Sequence, residues 1–241
     1  MHCLLLPLPH LPLYQVNAKY FLDKKQTLGP LDQFKYINKV TNVAADYARV
    51  YDRYTLSVAG EYFAENNVVV SASYSDSEYS DVSSLGIGYL ISDDFIVRTV
   101  ATKLDYGDSI YQNYDDTSYR FSASYNLQLQ GKDYLGFNVS TDDELDNYGI
   151  SSTYFSSLGG ERFVILGLGF SDTPSGNVSN ISAGYYFSKM TSVSANYNTS
   201  DNYSLNAKHY FNQNWALVAG FAGNTDFSDY KRYTLGVTGQ F

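Results

Sequence analysis

Residues 119–129 read YRFSASYNLQL, and the alternation in them decides the fold. Tyr119, Phe121, Ala123, Tyr125, Leu127 and Leu129 share one face of an extended chain, while Arg120, Ser122, Ser124, Asn126 and Gln128 share the other, because successive strand side chains point to opposite sides. The same period returns in TLSVAGEY (55–62), SVSANYN (192–198) and YSLNAKHY (203–210), always with one apolar face and one small or polar face. It is packaged in a recurring unit: aromatics, a short polar break, then alternation. Copies are EYFAENNVVVSASY (61–74), GYLISDDFIVRTVA (88–101), GYYFSKMTSVSANY (184–197) and KHYFNQNWALVAGF (208–221).

Extended over the chain, this pattern predicts strands at 14–21, 41–50, 54–63, 67–75, 83–91, 95–105, 118–129, 133–141, 147–156, 163–171, 179–187, 191–198, 203–211, 215–223 and 230–241. That is about 15 strands, nearly all following one another as hairpins. Short breaks such as ENN, SDD, GKD, SKM and NQN alternate with longer ones such as DSEYSDVS, YGDSIYQNYDDT, TPSGN and NTDFSDY, the asymmetry of an outer-membrane barrel.

Composition supports strands and removes several function classes. The 241 residues include 25 Tyr, 14 Phe and 18 Gly, only 17% are charged, and the net charge is -9. Aromatic and β-branched residues favour a pleated sheet. An acidic chain lacks the clustered Lys and Arg that phosphate binding needs, so no nucleic acid partner is expected. The single cysteine, Cys3, permits neither an internal disulfide framework nor a cysteine-based zinc site. No apolar run reaches the roughly 18 residues of a membrane-spanning helix, which says nothing against a barrel that crosses with strands.

A soluble β-sandwich also alternates. Three features favour the membrane: strands near the about 9–11 residues that a tilted crossing requires, few charges on the polar face, and aromatics at strand ends, where amphipathic rings suit the water–lipid boundary. The fold class expected is therefore all-β, a transmembrane antiparallel up-and-down β-barrel. Closure follows from the hydrocarbon, where unpaired backbone groups are too costly to leave at a sheet edge.

The last strand, KRYTLGVTGQF (231–241), places Tyr233, Leu235 and Val237 at alternating positions before a terminal Phe241. It resembles the terminal strand signal of bacterial outer-membrane barrels, which implies recognition by the barrel-assembly machinery. AKYFLDKKQTLGPLDQFKYINKVTNVAADY (18–47), followed by SVAGEYF (57–63), is similar to the N-terminal part of a porin family of marine gammaproteobacteria, most specifically around Gly29, Pro30 and Leu31. The resemblance implies a general porin of the Gram-negative outer membrane: a water-filled channel for passive diffusion of small hydrophilic solutes and ions. Its surroundings would be outer-membrane lipid and lipopolysaccharide. Trimers are familiar among general porins, which leaves a homo-oligomer open, although no stretch marks a subunit interface. A substrate-specific channel, or a structural or adhesive barrel with a blocked lumen, is the alternative.

The domain reading is a doubtful N-terminus over 1–13, a mis-start, truncation or signal remnant, followed by one barrel over 14–241. About 15 strands with a periplasmic C-terminus would start the first strand outside the cell, so an upward strand is expected upstream, completing about 16. Pro30 suits the first turn of a short helix, with Leu31, Phe34, Ile37 and Asn38 near one face. This 22–40 segment either caps the rim, the favoured reading, or enters the lumen as a constriction built around Gly29, Pro30, Leu31 and Phe34.

No catalytic constellation, cofactor motif or metal site emerges. His2, His10 and His209 are scattered, GLGF (167–170) lacks a following helix and a third glycine, and the acidic groups Asp115–Asp116 and Asp142–Asp143–Glu144 read as solvated loop carboxylates. Mid-strand charges are more telling. A lipid-facing Arg or Lys at the midplane would cost about 2–4 kcal/mol, so Arg98, Arg120 and Lys208 are expected to line the lumen together with Glu61. A barrel of about 16 strands leaves room for water, and the net charge points weakly to cation preference.

Overall fold

The computed structural model describes residues 11–24, 26–50, 52–106, 115–227 and 231–241. Fifteen strands form one closed barrel: β1 Leu11–Phe21, β2 Asn42–Val50, β3 Arg53–Phe63, β4 Val68–Ser77, β5 Ser80–Ser92, β6 Phe95–Tyr106, β7 Asp115–Gln128, β8 Tyr134–Asp142, β9 Tyr148–Gly159, β10 Arg162–Thr173, β11 Gly176–Tyr186, β12 Thr191–Asn198, β13 Asn202–Tyr210, β14 Trp215–Asn224 and β15 Lys231–Gln240. Each strand pairs antiparallel with its neighbour in sequence, and β1 closes on β15 in parallel, from Leu11 opposite Arg232 to Lys19 opposite Gln240. The parallel seam is a matter of parity. Directions alternate along the meander, so an odd count brings first and last strands together pointing the same way.

Curvature shows which face is inside. The Arg98 side chain on β6 reaches the Glu61 carboxylate on β3, 2.9 Å from Nη2 to Oε1, and strands three positions apart can meet like this only across the concave side. Every second residue along each strand follows. Leu205, Ala207 and His209 face outward on β13, for instance, and Asn206, Lys208 and Tyr210 inward. The outer face exposes Leu85, Ile87 and Leu168 at 60% or more, together with Tyr62 and Leu205. Such a continuous apolar belt belongs in lipid rather than in water. Aromatic pairs hold its lower margin, Tyr185 against Phe187 with centroids 4.9 Å apart and Trp215 against Phe241 at 5.2 Å. Tyr186 turns inward because it alternates with Tyr185.

Two expectations are corrected. The predicted loop DSEYSDVS contracts to Glu78 and Tyr79 between β4 and β5, and TPSGN contracts to Pro174 and Ser175 between β10 and β11. Backbone pairing needs no apolar side chains, so these hairpins continue past the lipid belt on Ser, Asp and Thr. No helix occurs among the described residues, and those of the 22–40 segment are irregular chain rather than the predicted short helix. The N-terminal stretch through His10, most of the YGDSIYQNYDDT loop and the end of NTDFSDY lie outside the described residues.

The inside–outside assignment is tested on adjacent residues of β13. Leu205→Arg, on the lipid face at 55% exposure, is expected to destabilise the refolded barrel by about 2–4 kcal/mol in lipid vesicles, whereas Asn206→Arg, on the wet face, should cost far less. Equal losses in urea-unfolding midpoints would reverse the assignment.

Candidate channel interior and its periplasmic mouth

Phe241 and the ENN, SDD, GKD, SKM and NQN turns share one end of the barrel, the end that the reading of the terminal strand places in the periplasm. There the segment between β1 and β2 folds into the barrel. Its apolar residues divide between two walls. Leu28 joins Tyr134, Phe155, Phe163 and Tyr186 in one buried cluster, and Ile37 joins Val69, Leu90 and Ile96 in another, with Tyr36 touching both. The first cluster is an arc of rings around the inner wall, Tyr36 to Tyr134 at 5.7 Å, Tyr134 to Phe155 at 5.6 Å, Phe155 to Phe163 at 5.8 Å and Phe163 to Tyr186 at 6.5 Å.

Two glycines make the fit possible. A side chain at Gly29 (φ 152°) would meet the Phe163 ring at 2.3 Å, and one at Gly136 would meet the Tyr36 ring at the same distance. Gly29 also adopts a backbone conformation that other residues rarely take.

Polar groups fix the rest of the segment, through its backbone as well as its side chains. Leu31 N–H donates to the Lys189 carbonyl at 3.0 Å, and its own carbonyl accepts from Gln240 Nε2 at 2.9 Å. Gln33 Nε2 donates to Tyr186 Oη at 2.6 Å, and Lys208 Nζ holds Asp32 Oδ2 at 2.7 Å. Lys132 reaches the Thr27 carbonyl at 3.2 Å. At the far end Lys39 grips Asp93 at 2.6 Å, and that hydrogen bond, with the Lys39 charge behind it, holds the Asp93 carboxyl below the usual carboxylate range.

Each residue singled out in the sequence can now be placed. Gly29 and the fully buried Pro30 lie within this strap; Leu31 contributes its backbone; Phe34 packs on Phe21 with centroids 5.2 Å apart. Glu61 and Arg98 meet just above the Ile37 cluster, and Lys208 is taken up by Asp32 rather than standing free over water. Arg120 sits higher and exposed, its Nη1 3.4 Å from Ser140 Oγ. Tyr233, Leu235, Val237 and Phe241 line the outer face of β15. Asp32, Gln33, Tyr36, Tyr186 and Gln240 had not been singled out. Inward parity was legible for Tyr186 and Gln240, but nothing in the sequence said what they would hold. Among the described residues no group of three or more His, Cys, Asp or Glu is arranged to hold a metal.

A closed, lipid-belted barrel with charged side chains on its inner wall is an outer-membrane channel protein in architecture. The family described as "Putative general bacterial porin" matches residues 11–241, and the chain belongs to that family: it is a porin of the bacterial outer membrane. Its structure is similar to the outer membrane protein Omp33 of Acinetobacter baumannii, with a TM-score of 0.54 and 16% identity over 88% of this chain and 84% of that one. Engineered variants of the Rhodopseudomonas blastica porin match more loosely, one with a TM-score of 0.45 and 11% identity over 94% of this chain and 96% of that one. No curated protein sequence matches the chain.

The seat for Tyr36 gives a direct test of the strap. Gly136→Val should displace the ring and speed chymotrypsin cleavage at Phe34 and Tyr36 at least tenfold, because overpacking a filled site costs about 1–3 kcal/mol. Cleavage as slow as in the unaltered protein would mean that the strap does not depend on this seat.

Proposed function

We propose that the strap forms the constriction of a passive diffusion channel, and that charges on the inner wall above it bias which small hydrophilic solutes and ions pass. The supporting observation is the reach of the strap. Ile37 packs on β4, β5 and β6 while Asp32 bonds to β13, and β5 and β13 stand eight strands apart one way round the ring and seven the other. The segment thus crosses the mouth from wall to wall. Rim capping, the favoured expectation, is replaced in this proposal by narrowing from within. Above the crossing, Glu61, Arg98 and Arg120 face the water-filled space, where fixed charges act on passing ions at close quarters.

In this reading the protein is a channel and not an enzyme. The outer belt contacts membrane lipid and lipopolysaccharide, and the terminal strand with Tyr233, Leu235, Val237 and Phe241 is what the barrel-assembly machinery engages. Single-channel recording of the refolded full chain in planar bilayers is the test. Stepwise conductance in potassium chloride is expected, and replacing residues 27–38 by a Gly–Ser linker should raise it severalfold. Silence in the unaltered protein together with conductance in the linker variant would favour a blocked barrel over an open pore.

Selectivity is checked separately by reversal potentials in a salt gradient. Arg120→Glu should shift the channel toward cations, and Glu61→Gln away from them. An unchanged reversal potential for both would remove these residues from the conduction path.

A further inference from the structure

Toward the opposite mouth the inner wall carries a feature that ion passage does not require. Arg232 on β15 is opposite Ala222 on β14, Ala222 is opposite Ser204 on β13, and Ser204 is opposite Asn196 on β12, so these four share one rung. All face inward, since Arg232 is eight residues from Gln240 and Ser204 four from Lys208, both of which bond to the strap. They border a recess of about 440 Å³ whose rim includes Asn180 and Asn198. Ala222 is the small member of the rung and leaves the guanidinium room along the wall.

Arg98 and Lys208 each hold a carboxylate and Arg120 a hydroxyl, but Arg232 has no hydrogen bond or ion pair among the described residues. Its Nε is buried without an acceptor. Such a donor normally finds a partner, because leaving it unmade carries the full desolvation penalty. Asn196 and Ser204 likewise make no side-chain hydrogen bond among the described residues. A planar cationic fork, an amide and a hydroxyl therefore stand together, unspent, around a space the size of a small solute.

We propose that this recess is a binding subsite for a small polyhydroxylated carboxylate of the sugar-acid class, its carboxylate on Arg232 and its hydroxyls on Ser204 and Asn196. The guanidinium matches a carboxylate in two parallel hydrogen bonds. A single cation balances one negative charge, which suits a monocarboxylate better than a phosphate dianion. Neighbouring strands are about 4.8 Å apart, so groups on the rung fit a ligand whose hydroxyls lie a few bonds from its acid. The proposal rests on the channel reading only in supposing that the solute enters the barrel.

Binding and conduction are measured apart so that each can fail alone. Calorimetric titration of gluconate into the detergent-solubilised full chain should show saturable binding, with glucose and inorganic phosphate at least tenfold weaker. Arg232→Gln should weaken gluconate at least tenfold and abolish its advantage over glucose. Ala222→Leu, which fills the recess while keeping the arginine, should do the same even if Arg232→Gln does not fold. Gluconate bound equally by the unaltered protein and by Ala222→Leu, phosphate bound as tightly as gluconate, or no gluconate heat at all would overturn the subsite. Conductance in potassium chloride, recorded on the same preparations, reports the channel independently.

Discussion

Hydrocarbon offers a peptide group nothing to bond with, and the rest of this molecule follows from that. A strand within a bilayer must pair on both sides, so the meander has to close. Closure over fifteen strands joins β1 to β15 in parallel, and it also creates an inside. Only after the ring exists can Glu61 and Arg98, three strands apart, become neighbours, or a loop find opposite walls to lean on. Side-chain character sorts the two faces, but the backbone requirement makes there be two faces.

The strap between β1 and β2 is the second level of organisation and works by different rules. It has no regular hydrogen-bonding ladder of its own, so its backbone bonds are local turns, such as Leu28 N–H to the Gln33 carbonyl, and contacts to the Lys189 carbonyl and the Gln240 amide, while its side chains are held by Tyr186 and Lys208. Its apolar residues do not form an amphipathic face. They are distributed to two separate clusters, each completed by interior residues near the periplasmic ends of strands. Where the strap crosses, its apolar side chains are packed against the inner wall, while the wall above carries the exposed Arg120 and the asparagine-lined recess.

The strands were legible because period two states both the conformation and the side from which each residue is seen. Residues 119–129 show six apolar positions in register, and the observed β7 covers all but the last of them. Strand ends were less legible: Ser80, Asp81 and Gly176 are residue types common in turns yet remain paired. The strap misled for a related reason. Pro30 with Leu31, Phe34 and Ile37 at helical spacing is a local signal, and local signals lose when Gly29 must pass a phenylalanine ring and Tyr36 must enter the space beside Gly136. Inward charges could be read from the cost of placing them in lipid. Their partners could not, because Lys208 with Asp32 depends on which walls the strap reaches.

The seam between β1 and β15 is the costliest pairing in the ring to close. Its partners are separated by almost the whole chain, so it carries the largest loop-closure entropy, and parallel bonds are slanted and slightly weaker than those of its antiparallel neighbours. The strap begins at the end of β1, and its Leu31 is caught by Gln240, next to the Phe21 and Phe241 backbones that bond across the same junction. The segment that crosses the mouth is therefore also tied to the join: a ring that had not finished closing would have no Gln240 in place to hold the strap, and a strap pulled free would remove one of the contacts that fasten the join.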